Sequence, residues 1–212
     1  MRNDTWTHKL ARYVARPLIG TGITPNHVTT LRLLTGVASC VVLALGTGLV
    51  HRALFWGGTL WLVSAFLDRV DGELARIGNM MSPGGHRYDY LVDNGINSLF
   101  FLAIGIGLRH ATAFGHNLGL WPILLGIVSA VALLLCNWMS EIYEAHLPDN
   151  RRIYPGAWGF HPDDALYLLG PLSWLDWLLP VLVAATIGTS VMAVVIAVQL
   201  RQVLRPVTAI TR

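Results

Sequence analysis

The 212-residue chain is 54% hydrophobic and only 13% charged, with a mean hydropathy of +0.54 and a formal net charge of +3. Soluble domains carry roughly 25% charged residues, so this composition excludes a disordered chain, a disulfide scaffold, a fibrous protein and an ordinary cytosolic enzyme, and it points to an integral membrane protein. The small, scattered positive charge leaves no footprint for nucleic acid. Cys40 and Cys136 lie in apolar runs without metal or redox spacing and read as small core residues.

Residues 1–18 lack the apolar centre of a signal peptide. Trp6, Leu10, Tyr13 and Val14 recur at helical spacing, with Lys9, Arg12 and Arg16 on another face. This predicts a basic amphipathic helix lying on the membrane surface and ending near Pro17. Beyond it the uncharged runs predict an all-α membrane protein of six transmembrane helices, at about 28–49, 53–77, 84–108, 117–146, 161–176 and 178–201. Residues 28–201 then form a six-helix bundle within a single domain spanning 1–212. A crossing takes roughly 20 residues, so the short uncharged runs 53–67 and 94–108 become spans only if their charged flanks enter the membrane region. That places Asp68, Asp71, Asp89 and Asp93 in or near the bilayer. The fifth helix is interrupted by Pro171, Asp176 and Pro180. With the N-terminus inside, thirteen of the fifteen basic residues fall on the inner side and only Arg52 and Arg109 on the outer side. Both termini are therefore expected in the cytoplasm. Trp56, Trp61, Trp121, Trp174 and Trp177 read as anchors near the outer ends.

Most of the acids cluster. Asp68 and Asp71 are spaced i, i+3, and Asp89 and Asp93 are spaced i, i+4, so each pair shares a helical face. Gly78, Pro83, Gly84 and Gly85 between them favour a turn, which sets the two faces opposite each other. Four carboxylates cannot stay ionised at membrane depth without compensation. Two Mg²⁺ ions, or Mn²⁺ in their place, would balance them, bind oxygen ligands and leave positions for phosphate. Gly72 and Ala75 remove bulk where a phosphate approaches, and Arg76 offers a guanidinium fork one turn beyond Gly72. Glu73 reads as a solvated helix-end acid, Arg69 and Arg87 as positive-inside anchors, and His86 as a loop histidine. Buried membrane carboxylates also serve cation and proton transporters, which is the alternative from another class.

The run Asp68-x2-Asp71-Gly72-x2-Ala75-Arg76-x8-Gly85-x3-Asp89-x3-Asp93 resembles the complete signature of the CDP-alcohol phosphotransferase family, with eight fixed residues over 26 positions. Chain length, six spans, the N-terminal surface helix and the Thr24-Pro25-Asn26 run before the first span are also similar to that family. The resemblance implies transfer of a substituted phosphoryl group from a CDP-activated alcohol to a second alcohol, with release of CMP. It implies metal ligation by Asp68, Asp71, Asp89 and Asp93, with Asp93 also the general base. It implies nucleotide contacts from Thr24, Pro25, Asn26, Gly72, Ala75, Arg76, Ser82 and Gly85, and a homodimer in a bacterial inner membrane with its active site open to the cytoplasm. The short chain favours CDP-diacylglycerol as donor over CDP-choline or CDP-ethanolamine with diacylglycerol.

For the acceptor, the residues lean towards an amino alcohol. The end of the fourth span carries Trp138, Glu141, Tyr143 and Glu144, a set of acids and aromatics suited to an ammonium group. Arg151 and Arg152, in the loop that follows, are the cations available for the alternative, a phosphorylated polyol such as glycerol 3-phosphate or inositol phosphate.

Overall fold

The computed structural model describes residues 6–46, 48–113, 115–146 and 162–204. The chain enters through helix α1 (Trp6–Ala15), which runs into a single 3-10 turn at Arg16–Leu18. Its small residues Thr7, Ala11 and Ala15 are buried, whereas Trp6, Leu10, Tyr13 and Val14 are exposed. The buried face is therefore small enough to lie flat against the neighbouring helix α3 (Ala53–Ile77), and the large apolar side chains are left for the surroundings.

Four long helices follow: α2 (Pro25–Leu45), α3 (Ala53–Ile77), α4 (Pro83–Gly107) and α5 (Trp121–Ala145). Each beginning and end has a local cause. Pro25 opens α2 as its first residue, where its fixed φ is preorganised and its missing N–H costs nothing. The preceding Thr24 donates its own N–H to His27 Nδ1 at 3.3 Å. Gly46, at φ 70°, ends α2 in a backbone conformation that side chains rarely adopt. Ser82 caps α4 by accepting the Gly85 N–H at 3.1 Å, with Pro83 as the first helical residue. Between α4 and α5, β1 (Thr112–Ala113) pairs antiparallel with β2 (His116–Asn117), so α5 starts at Trp121 rather than at the predicted 117.

The predicted fifth helix differs most from the structure. Residues Pro162–Leu168 form 3-10 turns and only α6 (Leu169–Trp174) is α-helical, before Asp176 takes φ 57° and α7 (Leu178–Leu204) begins. The short segment is held by side-chain bonds to α3. Trp61 Nε1 donates to the Leu166 carbonyl at 2.9 Å, Tyr167 Oη to that of Ala65 at 2.9 Å, and Ser173 Oγ to that of Leu54 at 2.6 Å. Trp61 is thus a buried core residue stacked at 3.8 Å on Phe100 and not a surface anchor.

Among the described residues, four helices are long and apolar enough to cross a membrane: α2, α4, α5 and α7. The 25-residue α3 has the length, but Asp68, Arg69, Asp71, Glu73 and Arg76 crowd its last ten residues. In the bundle, α2 packs on α3 and α4, and α5 packs on α4 and α7. The main core lies between them around Phe100, Ile104, Leu178 and Leu182, and a smaller one joins Ala11 and Ala15 of α1 to Val70 and Leu74 of α3. Cys40 and Cys136 are both free and buried.

Candidate active site

The polar end of the bundle is built where the starts of α2 and α4 meet the end of α3. Pro83, as the first residue of α4, and the Ser82 cap fix where α4 starts after the turn, and with α3 and α4 both packed on α2 their aspartates converge. Carboxylate oxygens of Asp68, Asp71 and Asp89 all lie within 4.8 Å of one another. Asp71 is buried and accepts a hydrogen bond from Thr29 Oγ1 at 2.8 Å.

Arg32 sits at the centre of the aspartates. One terminal nitrogen lies 2.7 Å from Asp68 Oδ1 and 3.1 Å from Asp89 Oδ1, and the other lies 2.5 Å from Asp93 Oδ1. The residue is only 3% exposed, and its Nε has no hydrogen-bond partner among the described residues. Asp93 also accepts from Asn97 Nδ2 at 2.7 Å, so two donors fix its carboxylate. Asp93 stands outside the triad of converging carboxylates that could hold an ion.

The residues fit a divalent cation. Three carboxylates converge, oxygen is the donor that hard cations take, and one guanidinium balances only part of four carboxylate charges. Asp68, Asp71 and Asp89 would hold the ion, and the site's excess negative charge supplies the attraction.

Three cavities open on this cluster. The first, of about 180 Å³, is lined by Pro25 and Asn26 of α2, Gly72, Ala75 and Arg76 of α3, and Ser82 and Gly85 of α4, with Asp71 and Asp89 at its base. These are the expected nucleotide residues except Thr24, which caps α2 beside the cavity without lining it. The spacing of Gly85 is required by the fold as well: a Cβ there would stand 2.9 Å from Ser82 Oγ and 3.1 Å from Asn26 Oδ1. The second cavity, of about 280 Å³, reaches Asp68 and Asp93 from the other side and is lined by Arg69, Asn97, Asn137 and Tyr167. The third, of about 730 Å³, meets Asp93 between α4 and α5 and is lined by Arg87, Tyr90, Asn137, Glu141 and Glu144.

The acceptor residues expected from the sequence are therefore divided. Glu141 and Glu144 face the third cavity. Trp138 is 57% exposed on the outside of α5, and neither it nor Tyr143 lines any of the three cavities. Arg151 and Arg152 lie outside the described residues.

Glu73 is not a solvated helix-end acid. It is 2% exposed and accepts from Arg12 Nε at 3.0 Å, Arg76 Nη2 at 2.9 Å and His8 Nδ1 at 3.0 Å. Burial lowers the His8 imidazole below its ordinary pKa by more than the Glu73 bond raises it.

The profile of the CDP-alcohol phosphatidyltransferase family matches residues 22–200. A bifunctional IPC transferase and DIPP synthase of Rubrobacter xylanophilus is 35% identical over 102 residues, 47% of this chain and 22% of that protein. A phosphatidylinositol phosphate synthase of Mycolicibacterium smegmatis is 31% identical over 134 residues, 63% of this chain and 53% of that protein. The chain thus spans about a fifth and about half of the lengths of these two relatives. Crystal structures of Mycobacterium tuberculosis phosphatidylinositol phosphate synthase (PgsA1) share the fold at 19% identity. The form with CDP-DAG bound has a TM-score of 0.62 over 96% of this chain and 98% of that one. The complex with manganese and citrate has a TM-score of 0.62 over 95% and 92%.

Proposed function

The chain belongs to the CDP-alcohol phosphatidyltransferase family, and from that premise we propose that it transfers a phosphatidyl group from CDP-diacylglycerol to a small alcohol, releasing CMP. One observation carries the reading. Pro25, Asn26, Gly72, Ala75, Arg76, Ser82 and Gly85, from three helices and their caps, line one cavity together with Asp71 and Asp89, while Asp93 lines two further cavities and not the first. Donor and acceptor can thus approach one carboxylate cluster from different directions.

In this mechanism the cytidine diphosphate occupies the first cavity, with the Arg76 guanidinium on phosphate and the small Gly72 and Ala75 giving it room. Asp68, Asp71 and Asp89, with Asp93 completing a second position, would hold divalent cations, which would supply the charge neutralisation that the diphosphate and its leaving oxygen need. Asp93, oriented by Arg32 and Asn97, takes the proton of the acceptor hydroxyl. The hydroxyl oxygen forms a bond to the β-phosphorus while the bond from that phosphorus to the bridging oxygen breaks. CMP leaves with that oxygen, and the proton remains on Asp93 until it passes to water. Alignment and charge neutralisation supply the rate.

For the acceptor we favour a phosphorylated polyol, with inositol phosphate the first to test, over the amino alcohol. Two relatives carry names that include phosphatidylinositol phosphate synthase and DIPP synthase, and Arg69 lines the cavity that reaches Asp93. The two aromatics expected to complete an ammonium site, Trp138 and Tyr143, line none of the three cavities. The same reading has α3 and the α6 segment as the remaining two of six crossings, the termini and active site at the cytoplasmic face of a bacterial inner membrane, and two chains in a homodimer.

The test is CMP release by purified protein from CDP-diacylglycerol and Mg²⁺ with inositol phosphate, glycerol 3-phosphate, serine, ethanolamine or choline, and Asp93→Asn as control. Release stimulated by inositol phosphate and lost in the variant is expected. Release stimulated only by an amino alcohol would overturn the acceptor. Silence here and with CDP-choline or CDP-ethanolamine plus diacylglycerol would favour an ion transporter.

A further inference from the structure

We propose that Glu73 is a positioning residue for the nucleotide, tying the surface helix α1 to the Arg76 guanidinium at the rim of the first cavity. The inference rests on the placement of the donor in that cavity. Glu73 does not line the cavity and faces away from the aspartates. Nevertheless it is one of the most buried carboxylates in the described residues, and a buried carboxylate is tolerated only when its lone pairs are taken. Three donors take them. Arg12 and His8 come from α1, more than sixty residues away in sequence, and Arg76 comes from the next turn of α3.

The arithmetic of donors gives the network its use. A guanidinium carries five N–H donors in a rigid plane. In Arg76 one of them, on Nη2, is committed to Glu73 at 2.9 Å. The side chain stays one-third exposed and lines the cavity, so the rest of the fork remains to meet a diphosphate. Gly72, one turn back, leaves the path clear: a Cβ there would touch Arg76 Nη2 at 3.4 Å. An arginine on an open cavity wall otherwise loses rotamer freedom when it captures phosphate. Glu73 removes that cost beforehand, and Arg12 and His8 hold Glu73 in turn. The amphipathic helix, whose exposed Trp6, Leu10 and Tyr13 suit a lipid surface, is therefore mechanically part of the nucleotide site.

The experiment measures the Kd of CDP with Mg²⁺, the KM and kcat for CDP-diacylglycerol, and the melting temperature, for wild type, Glu73→Gln, Arg12→Gln, Arg76→Ala and the Arg12→Gln/Arg76→Ala pair. Glu73→Gln and Arg12→Gln are each expected to raise the CDP Kd and the donor KM by about three- to tenfold, with kcat changed less than twofold. Once Arg76 is alanine, Arg12→Gln should leave the CDP Kd unchanged, because its route to the nucleotide is gone. Arg12→Gln carries the test if Glu73→Gln fails to fold. A fall in melting temperature with unaltered CDP Kd, or an equal loss of affinity in both Arg76 backgrounds, would overturn the positioning role. Wild-type protein that binds no CDP would instead overturn the placement of the donor, and this inference with it.

Discussion

Two charged clusters hang from the last ten residues of α3, one turn apart, and they are built in opposite ways. Around Arg32, three aspartates share one guanidinium, and a fourth, Asp71, converges on two of them. Around Glu73, a single carboxylate is surrounded by two arginines and a histidine. The first cluster holds more negative charge than its own protein partners balance, and cavities open onto it. The second is compensated from within the chain and is closed over by α1. Excess charge at a solvent-accessible cluster is a binding capacity, whereas charge that is already matched is a scaffold. The same helix thus changes from chemistry to positioning within five residues.

The contrast can be broken most severely at the aspartates. Asp71→Asn or Asp89→Asn removes a ligand from the converging triad and should lower kcat/KM by about a thousandfold or more, as expected when metal stabilisation worth several kcal/mol is lost. Asp93→Asn keeps the fold and removes the proton acceptor, with an expected loss of about 10²- to 10⁴-fold in kcat. Steady-state CMP release measures both. An Asp93→Asn enzyme with wild-type kcat would move the base elsewhere.

Arg32 sharpens the comparison, because it and a divalent cation compensate the same carboxylates. Without divalent cations, Arg32→Gln should cost about 3–5 kcal/mol of stability, the usual penalty for stranding buried charge. Saturating Mg²⁺ should recover a large part of it. Denaturant unfolding in detergent with EDTA or Mg²⁺ reads the difference, and an equal loss in both would separate Arg32 from the cation site. Glu73→Gln should cost less, about 1–3 kcal/mol, and by the same amount with and without Mg²⁺, because no ion enters its cluster. The smallest effect is expected at Trp138→Ala. This exposed residue should shift stability by no more than about 0.5 kcal/mol and leave transfer unchanged for every acceptor.

What the sequence reveals follows from locality. Aspartates spaced three and four apart share helix faces, and a Pro/Gly-rich turn favours bringing the two faces together, so the carboxylate cluster is readable from spacing; the nucleotide contacts expected from Pro25, Asn26 and Ser82 rest on the family resemblance instead. The ends of α2 and α4 follow from Pro25, Pro83 and Gly46. Arg32 was visible as the lone charge in an apolar run, yet its partners lie 36 to 61 residues away, and nothing local names them. Thr29 and Asn97 are ordinary helix residues until their neighbours are known. Glu73 is misread for the same reason: near a helix end it looks solvated, and only the docking of α1 buries it. The fifth helix is shorter and partly 3-10, because side-chain bonds to α3 shape it as well as its own backbone bonds. Trp61, Tyr167 and Ser173 make these bonds across about a hundred residues of sequence, which a periodicity argument does not see.

The central claim is that the surplus carboxylates on α3 and α4 bind a divalent cation on which transfer depends. The most direct measurement is a Mg²⁺ titration of CMP release from CDP-diacylglycerol, starting from EDTA-treated protein, for wild type and Asp71→Asn side by side. The account predicts no release before the cation is added, saturable activation of the wild type, and loss of that activation in the variant. Full-rate release in EDTA, or an Asp71→Asn curve that overlays the wild type, would contradict it.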